Sequence, residues 1–332
     1  MDGWLIHGGR LEAARAAWPD APTPWLDLST GINPHSWPVE RASAIDWHRL
    51  PGQAALARLE AAAAGAFGVP PDWVCAVPGS EIGLRLLATL GLPGPIRYQA
   101  PGYRTHAEAF AAAAPLPAGA LLEEAERGGT ILLANPSNPD GFVLEPAVLL
   151  ALAEALTRRG GQLIVDEAFA DATPSTSLLP RMACGEAAGA VVLRSFGKMF
   201  GLAGVRLGCA VAAPEWLAGL RRRLGSWPVS AAAIAIGTAA YADAEWIAAT
   251  RARLVEACGR LDAVLCSHGL HPEGASPLFR LLRTPGADAL FKRLAGQGIL
   301  TRPFDYAPDW LRLGLPGDAE ALARLDRALG HG

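Results

Sequence analysis

The chain has 332 residues, enough for a large core and, by length, for two domains. Its 29 Lys and Arg against 32 Asp and Glu leave a net charge of −3, so nothing calls for nucleic acid or an anionic membrane as partner. Five scattered cysteines, Cys75, Cys184, Cys209, Cys258 and Cys266, form no Cys-x-x-Cys pair and no cluster at zinc spacing. They exclude a disulfide scaffold, argue against a metal site and fit a reducing cytoplasm.

The opening Met1 to His7 lacks the basic and apolar regions of a secretory signal. His7-Gly8-Gly9-Arg10 and Asp27-Leu28-Ser29-Thr30-Gly31-Ile32-Asn33-Pro34 are turn-rich segments on either side of an Ala-rich helix ending at Trp18-Pro19. They read as an N-terminal arm with turns, or as backbone N–H groups and an amide presented to an anion.

The spacing of Leu56, Leu59, Ala63 and Phe67 predicts a helix from Gln53 that stops at Gly68. Val74–Val77 is a predicted strand, followed by Pro78-Gly79-Ser80-Glu81 and a helix through Leu90, with Ser80 as its expected cap. Such a strand, glycine and helix start aims free N–H groups outward, a generic phosphate cradle. The next strand, Ile96–Ala100, ends at Pro101-Gly102-Tyr103, and a helix is expected over His106–Ala113. Tyr103 is placed either to stack on a ring or simply to pack.

Thr130–Ala134 is a third strand, running into Asn135-Pro136-Ser137-Asn138-Pro139-Asp140-Gly141. Its two Asn-Pro steps fix an extended, turned loop. After a helix over Glu145–Arg159, the strand Gln162–Val165 ends in Asp166-Glu167. Two acids at the end of a buried strand are costly unless paired; either both reach solvent or Asp166 faces a buried cation.

The strand Ala190–Arg194 leads into Ser195-Phe196-Gly197-Lys198-Met199-Phe200-Gly201, and Arg206 precedes another strand over Leu207–Ala212. A lysine partly withdrawn from water loses its proton more readily, and a neutral amine forms a Schiff base with an aldehyde. Ser195 and Arg206 add a hydroxyl and a guanidinium fork, the groups that hold phosphate. An ordinary tight turn with a solvated Lys198 is the plain alternative.

Leu224 to Ala242 carries no charge but is rich in alanine and holds Pro228, so it reads as a loop and a buried helix rather than a membrane span. Helices are expected over 215–224, 230–267, 288–297 and 318–329, with short strands near 278–282, 298–301 and 310–313.

The pattern predicts an α/β fold with a mostly parallel sheet flanked by helices, plus a smaller α+β domain. The expected division is an arm over 1–34, a large domain over 35–225 and a small domain over 226–332. Ligands of such sheets lie beyond the carboxyl ends of the strands, where Ser80, Tyr103, Asn138, Asp166 and Lys198 all fall.

The Asn135–Gly141 loop, Asp166-Glu167-Ala168-Phe169 and the lysine turn resemble, in order and spacing, the fold type I pyridoxal-phosphate enzymes, in the aspartate-aminotransferase-like group near histidinol-phosphate aminotransferase. The arm motifs resemble the L-threonine-O-3-phosphate decarboxylases of cobalamin biosynthesis. The likeness covers essentially the whole chain. It implies pyridoxal 5′-phosphate, with Lys198 as the Schiff-base lysine and proton shuttle, Asp166 on the ring nitrogen, Asn138 on the 3-oxygen and Tyr103 on the ring face. Ser80 and Glu81, through backbone N–H, with Ser195 and Arg206, would hold the 5′-phosphate. Arg312 would take the substrate carboxylate, and His7, Gly8, Gly9, Gly31, Asn33 and Arg302 the substrate phosphate; His7 is equally well read as a tethered terminal residue.

Phe169 stands where many aminotransferases have Tyr, which leaves more of the work at the 3-oxygen to Asn138. The resemblance also implies a homodimer, with the arm and the residues after Trp227 at the interface. A histidinol-phosphate-type aminotransferase remains the main alternative. A non-catalytic cofactor-binding regulator, disfavoured because no DNA-binding segment precedes residue 1, and a cofactor-free binding protein are the others.

Overall fold

The computed structural model describes residues 7–110, 112–187 and 189–330; residues 1–6, part of the stretch read as lacking a signal, lie outside them. The chain opens with α1 (Leu11–Ala17) and β1 (Leu26–Asp27). Then come α2 (Gln53–Phe67), β2 (Val74–Val77), α3 (Ser80–Leu87), β3 (Ile96–Gln99), α4 (Arg104–Ala109), β4 (Ala114–Leu116), α5 (Leu121–Ala125) and β5 (Thr130–Ala134). They are followed by α6 (Pro146–Arg158), β6 (Gln162–Asp166), α7 (Leu179–Ala183), β7 (Val191–Ser195), the one-turn α8 (Phe196–Met199) and β8 (Gly208–Val211). The remainder holds α9 (Pro214–Leu224), α10 (Ala231–Ala242), α11 (Ala244–Ser267), β9 (Pro272–Glu273), β10 (Phe279–Arg283), α12 (Ala287–Gly296), β11 (Ile299–Leu300), β12 (Arg302–Pro303), β13 (Trp310–Gly314) and α13 (Ala319–Gly330).

Two compact units result. Ser36–Asn138 and Val143–Ala249 form the larger; 7–35, Pro139–Phe142 and 250–330 belong to the smaller. The second boundary, expected at 225/226, thus falls inside α11. The reason is α10, whose buried Ile234, Ile236 and Ala240 pack it on α2 of the larger unit. The helix expected over 230–267 is broken at Asp243. Its Oδ1 accepts the Trp246 N–H at 3.1 Å and its Oδ2 accepts from Trp37 Nε1 at 3.0 Å, a helix-start arrangement within an otherwise helical run.

The larger unit is built on a seven-stranded sheet ordered β2-β8-β7-β6-β5-β3-β4. Strands β4, β3, β5, β6 and β7 pair in parallel, whereas β8 runs antiparallel to β7 and β2. Every residue of β5, β6 and β7 is buried, which explains why these strands read as unbroken apolar runs rather than alternating ones. One face presents Cys75, Val77, Leu132, Ile164, Val191 and Leu193 to Leu84 and Leu87 of α3 and Leu217 and Leu220 of α9. The parallel register ends Ala134 beside Asp166, and Ser195 pairs with Gly208, so these residues share the carboxyl edge.

The smaller unit has a four-stranded sheet, β12-β13-β10-β9, antiparallel throughout, and the parallel pair β1–β11. The arm is an integral part of this unit: Leu28 N donates to Leu300 O at 2.8 Å, and Gly314 N donates to Leu28 O at 2.7 Å. Leu28 itself is fully buried. Among the described residues, no helix is long and apolar enough to cross a membrane. The uncharged run after Leu224 becomes α10, whose buried face is supplied by this unit's own core.

Candidate active site

In the larger unit a cleft of about 790 Å³ opens at the carboxyl edge of the sheet. Ser80, Glu81, Tyr103, Asn138, Asp166, Ser195, Lys198 and Arg206 all line it. The remaining candidates, His7, Gly8, Gly9, Gly31, Asn33, Arg302 and Arg312, belong to the smaller unit.

At one end of the cleft lies a set of donors. The helix α3 begins at Ser80, and Gly79, not Ser80, holds the cap position; no side chain caps this end. The first-turn N–H groups therefore have no partner within the helix, and such an end attracts an anion. Gly79 has φ +91°, and a Cβ there would lie 2.6 Å from Arg206 Nη2, so the guanidinium packs directly on the glycine backbone. Arg206 is itself left-handed at φ +55°, with Nη1 donating to Ala203 O at 3.2 Å. The Ser195 hydroxyl completes a donor set suited to a phosphate monoester.

The other end carries a negative charge. Asp166, 8% exposed, accepts the Ala168 N–H on Oδ1 at 3.2 Å, and its Oδ2 lies 3.1 Å from His106 Nε2. Glu167 turns the opposite way, into the interior. It accepts from Arg194 Nη1 at 2.8 Å, Ser177 Oγ at 2.6 Å and Leu178 N at 2.7 Å, and Arg194 Nη2 also meets Asp171 at 2.9 Å. Burial pushes the Glu167 carboxyl up, opposed by Arg194 and these hydrogen bonds. The two acids thus do different work, and the reading in which both reach solvent does not hold. Because Glu167 follows Asp166 and Arg194 precedes Ser195, the buried pair fixes the ends of the two strands that deliver cleft residues.

Between the two ends stand Tyr103, Phe169 and Lys198. The Tyr103 phenol is pushed up to about 12, chiefly by burial, with the charges of Glu81 and Asp166 adding to it. Lys198 Nζ sits 5.5 Å from the centre of the Phe169 ring. The lysine turn rests on aromatic packing: Phe196 and Phe200 stack at 4.5 Å, and Phe200 stacks on Trp246 at 5.5 Å. The loop before the cleft is pinned by Asn135, which donates to Thr176 O at 2.7 Å and Leu144 O at 3.1 Å and accepts from Leu144 N at 2.8 Å. Asn138, three residues on, reaches the cleft.

Phosphate donors at one end, a buried carboxylate at the other, and a tyrosine and a lysine between fit the outline of pyridoxal phosphate: anionic arm, flat ring, basic ring nitrogen and aldehyde. His106 is the cleft-side residue that sequence reasoning missed. It was read as the start of a helix; its only signal is its position three residues after Tyr103, which places both on one helical face. Their rings meet edge-on at 5.7 Å. The cysteines take no part: burial pushes the Cys75 and Cys258 thiols up to about 12, and Cys209 also upward.

In the smaller unit Arg302 and Arg312 are direct cross-strand partners, each about 6% exposed. Arg312 Nη2 donates to Ser29 O at 2.8 Å and its guanidinium lies over Phe279 at 5.1 Å. Arg302 Nη1 donates to Pro303 O at 3.1 Å and lies over Phe304 at 5.0 Å. Like charges directly opposed on a sheet destabilise it, and bound anions would relieve this. The arm is tied beside them: Gly9 N donates to Ser29 Oγ at 2.7 Å, and a Cβ on Gly8 would lie 2.3 Å from Ser29 O. Asn33, 3% exposed, accepts the His35 N–H on Oδ1 at 3.0 Å.

The family described as aminotransferase class I and II matches residues 118–329. The chain is 42% identical to the threonine-phosphate decarboxylase of Pseudomonas aeruginosa, over 98% of this chain and 97% of that one. It is 33% identical to the histidinol-phosphate aminotransferase of Symbiobacterium thermophilum, over 91% and 88%. In fold it is similar to a histidinol-phosphate aminotransferase of Sinorhizobium meliloti solved with pyridoxal-5′-phosphate: TM-score 0.84, 20% identity, covering 96% of this chain and 92% of the other.

Proposed function

The chain belongs to the class I and II aminotransferase family, and we propose that within it the protein is a pyridoxal-phosphate-dependent carboxy-lyase. Its reaction is the conversion of L-threonine O-3-phosphate to (R)-1-aminopropan-2-yl phosphate and CO₂, a step of cobalamin biosynthesis. The observation that carries this reading is the nearly end-to-end likeness to a threonine-phosphate decarboxylase, higher than that to the histidinol-phosphate aminotransferase compared.

When bound, pyridoxal phosphate supplies an electron sink for the charge left at Cα as the carboxylate departs. Lys198 is assigned the covalent attachment and then the proton that replaces CO₂ at Cα. Asp166, steadied by His106, holds the proton of the ring nitrogen. Tyr103 covers the ring face, and Asn138 donates to the 3-oxygen without help from Phe169, which has no hydroxyl. Ser80 and Glu81 N–H, Ser195 and Arg206 hold the 5′-phosphate.

The substrate has two anionic groups, and the smaller unit has two opposed arginines. Arg312 is assigned the carboxylate as a bidentate pair. Arg302, Asn33, Gly31, His7 and the backbone of Gly8 and Gly9 are assigned the phosphate. Anchoring both anions fixes the rotation of the substrate about Cα, and that rotation selects which bond breaks.

We also infer a homodimer. Trp47, Leu50 and Trp227 are 72%, 66% and 53% exposed, and a groove between residues 43–58 and 231–238 adjoins them. Apolar surface of this kind marks an interaction site, and sedimentation at micromolar concentration tests it.

The experiment on function offers the cofactor-loaded protein two substrates in turn. Release of CO₂ and aminopropanol phosphate from threonine phosphate, with no amino transfer from histidinol phosphate to 2-oxoglutarate, is the expected result. The reverse pattern would keep the fold and overturn the reaction.

A further inference from the structure

Glu81 has entered so far through its backbone N–H, but its side chain is equally committed. Tyr103 Oη donates to Glu81 Oε2 at 3.3 Å. The other oxygen, Oε1, accepts from Arg85, one turn along α3, with Nε at 3.3 Å and Nη2 at 3.1 Å. The same Nη2 reaches Glu108 Oε2 on α4 at 3.2 Å. Tyr103 is the residue that leads into α4. The link therefore closes a loop between the two helices that flank this side of the cleft.

A tyrosine hydroxyl lies on the axis about which its ring rotates. A hydrogen bond to it fixes where the axis points but leaves rotation about the axis open. His106, edge-on to the ring at an interplanar angle of 89°, limits that rotation. Glu81 is about one-third exposed, and a lone carboxylate there would sample several rotamers. Arg85 holds it in the one that meets Tyr103. Directing the carboxylate toward Arg85 and Tyr103 also neutralises a charge that would otherwise oppose an anion at the start of α3.

We propose that the Glu81 carboxylate, clamped by Arg85, is a positioning residue that sets the tilt of the Tyr103 ring over the cleft and thereby retains a flat cofactor against it. One residue then serves both ends of the ligand: its N–H faces the phosphate and its carboxylate orients the ring cover. The proposal rests on the reading of this cleft as the pyridoxal-phosphate site.

The test is a double-mutant cycle of Glu81→Ala and Tyr103→Phe, read by the rate of cofactor loss from the loaded protein. Each single change is expected to speed loss about 5-fold, and the double change no further, because both remove the same bond. Glu81→Gln keeps an acceptor and is expected to restore most of the retention. Independently, the phenol is titrated in cofactor-free protein. The groups facing it are Glu81 and Arg85 on α3, Thr105 and His106 on α4, and Asp166 at the end of β6. Glu81→Gln is expected to lower the Tyr103 pKa from about 12 toward its ordinary value. Additive effects on retention, or an unmoved phenol, overturn the proposal. A wild-type protein that binds no pyridoxal phosphate would overturn the functional reading instead, and the phenol titration would still decide whether Glu81 holds Tyr103.

Discussion

In the larger unit the candidate residues stand at the ends of β5, β6 and β7 and in the turns that follow, each delivered by the strand just before it. In the smaller unit they sit on an arm and on β12 and β13, and Arg312 is held by a carbonyl 283 residues away in sequence. The first arrangement is set by the fold class: parallel strands end on one edge, so whatever follows them converges. The second depends on long-range pairings that hold Ser29 against Arg312 and Arg302 opposite Arg312. The difference teaches that the chemistry common to a family can be kept on the sheet edge, while substrate choice is carried by a surface that can change independently.

The sharpest way to break this comparison is to remove the lysine. Lys198→Ala is expected to lower kcat by about 10⁴-fold while leaving the affinity of the smaller unit for phosphorylated ligands unchanged. Stopped-flow and equilibrium binding check the two halves of that statement. Substitutions in the smaller unit should do the opposite. Arg302→Ala is expected to cut kcat/KM for threonine phosphate by about 10- to 100-fold and to affect unphosphorylated threonine little, whereas Arg312→Ala should weaken both. If Arg302→Ala instead altered the absorbance of the bound cofactor, the division of labour would be wrong. Asn33→Ala should raise KM for the phosphorylated substrate about 3- to 10-fold; an unchanged KM removes Asn33 from the site.

The smallest effect lies outside both sets. Asp243 is pushed up by desolvation but pulled down further by the Trp246 N–H, Trp37 and Arg41, so its pKa is lowered in the folded chain. Its contribution to stability is therefore present above the ordinary carboxylate range near pH 4 and is lost as pH falls through the lowered value. Asp243→Asn should flatten the acid limb of a melting-temperature profile without changing activity at neutral pH.

Much of the larger unit was legible because its strands are continuous apolar runs closed by turn residues. Val74–Val77, Thr130–Ala134 and Gln162–Asp166 fall within a residue of expectation. Ala114–Leu116 and Arg302–Pro303 were not seen, since two or three residues carry no periodicity. The pairing of Glu167 with Arg194 spans 27 residues and leaves no local trace, so the acid pair could be read either way. Asp243 hid in a helical composition, where a capping role shows only once Trp37 and Trp246 are placed around it. His106 was hidden for a related reason: a histidine in a helix reads as ordinary until the carboxylate beneath it is known. The cleft lysine, by contrast, was visible because its glycine turn lies between two buried strands. The substrate-side residues were legible only through resemblance, because nothing in their local sequence predicts that Arg302 and Arg312 face each other.

The most direct test of the account follows the carboxylate itself. Cofactor-loaded protein is mixed with L-threonine O-3-phosphate labelled with ¹³C at the carboxylate, with no keto acid present, and labelled CO₂ is counted per active site. The account predicts many equivalents of labelled CO₂, with the cofactor's absorbance preserved throughout. A reaction that stops after one equivalent of substrate, with the label retained in the organic product, would contradict it and identify an amino-transfer half-reaction.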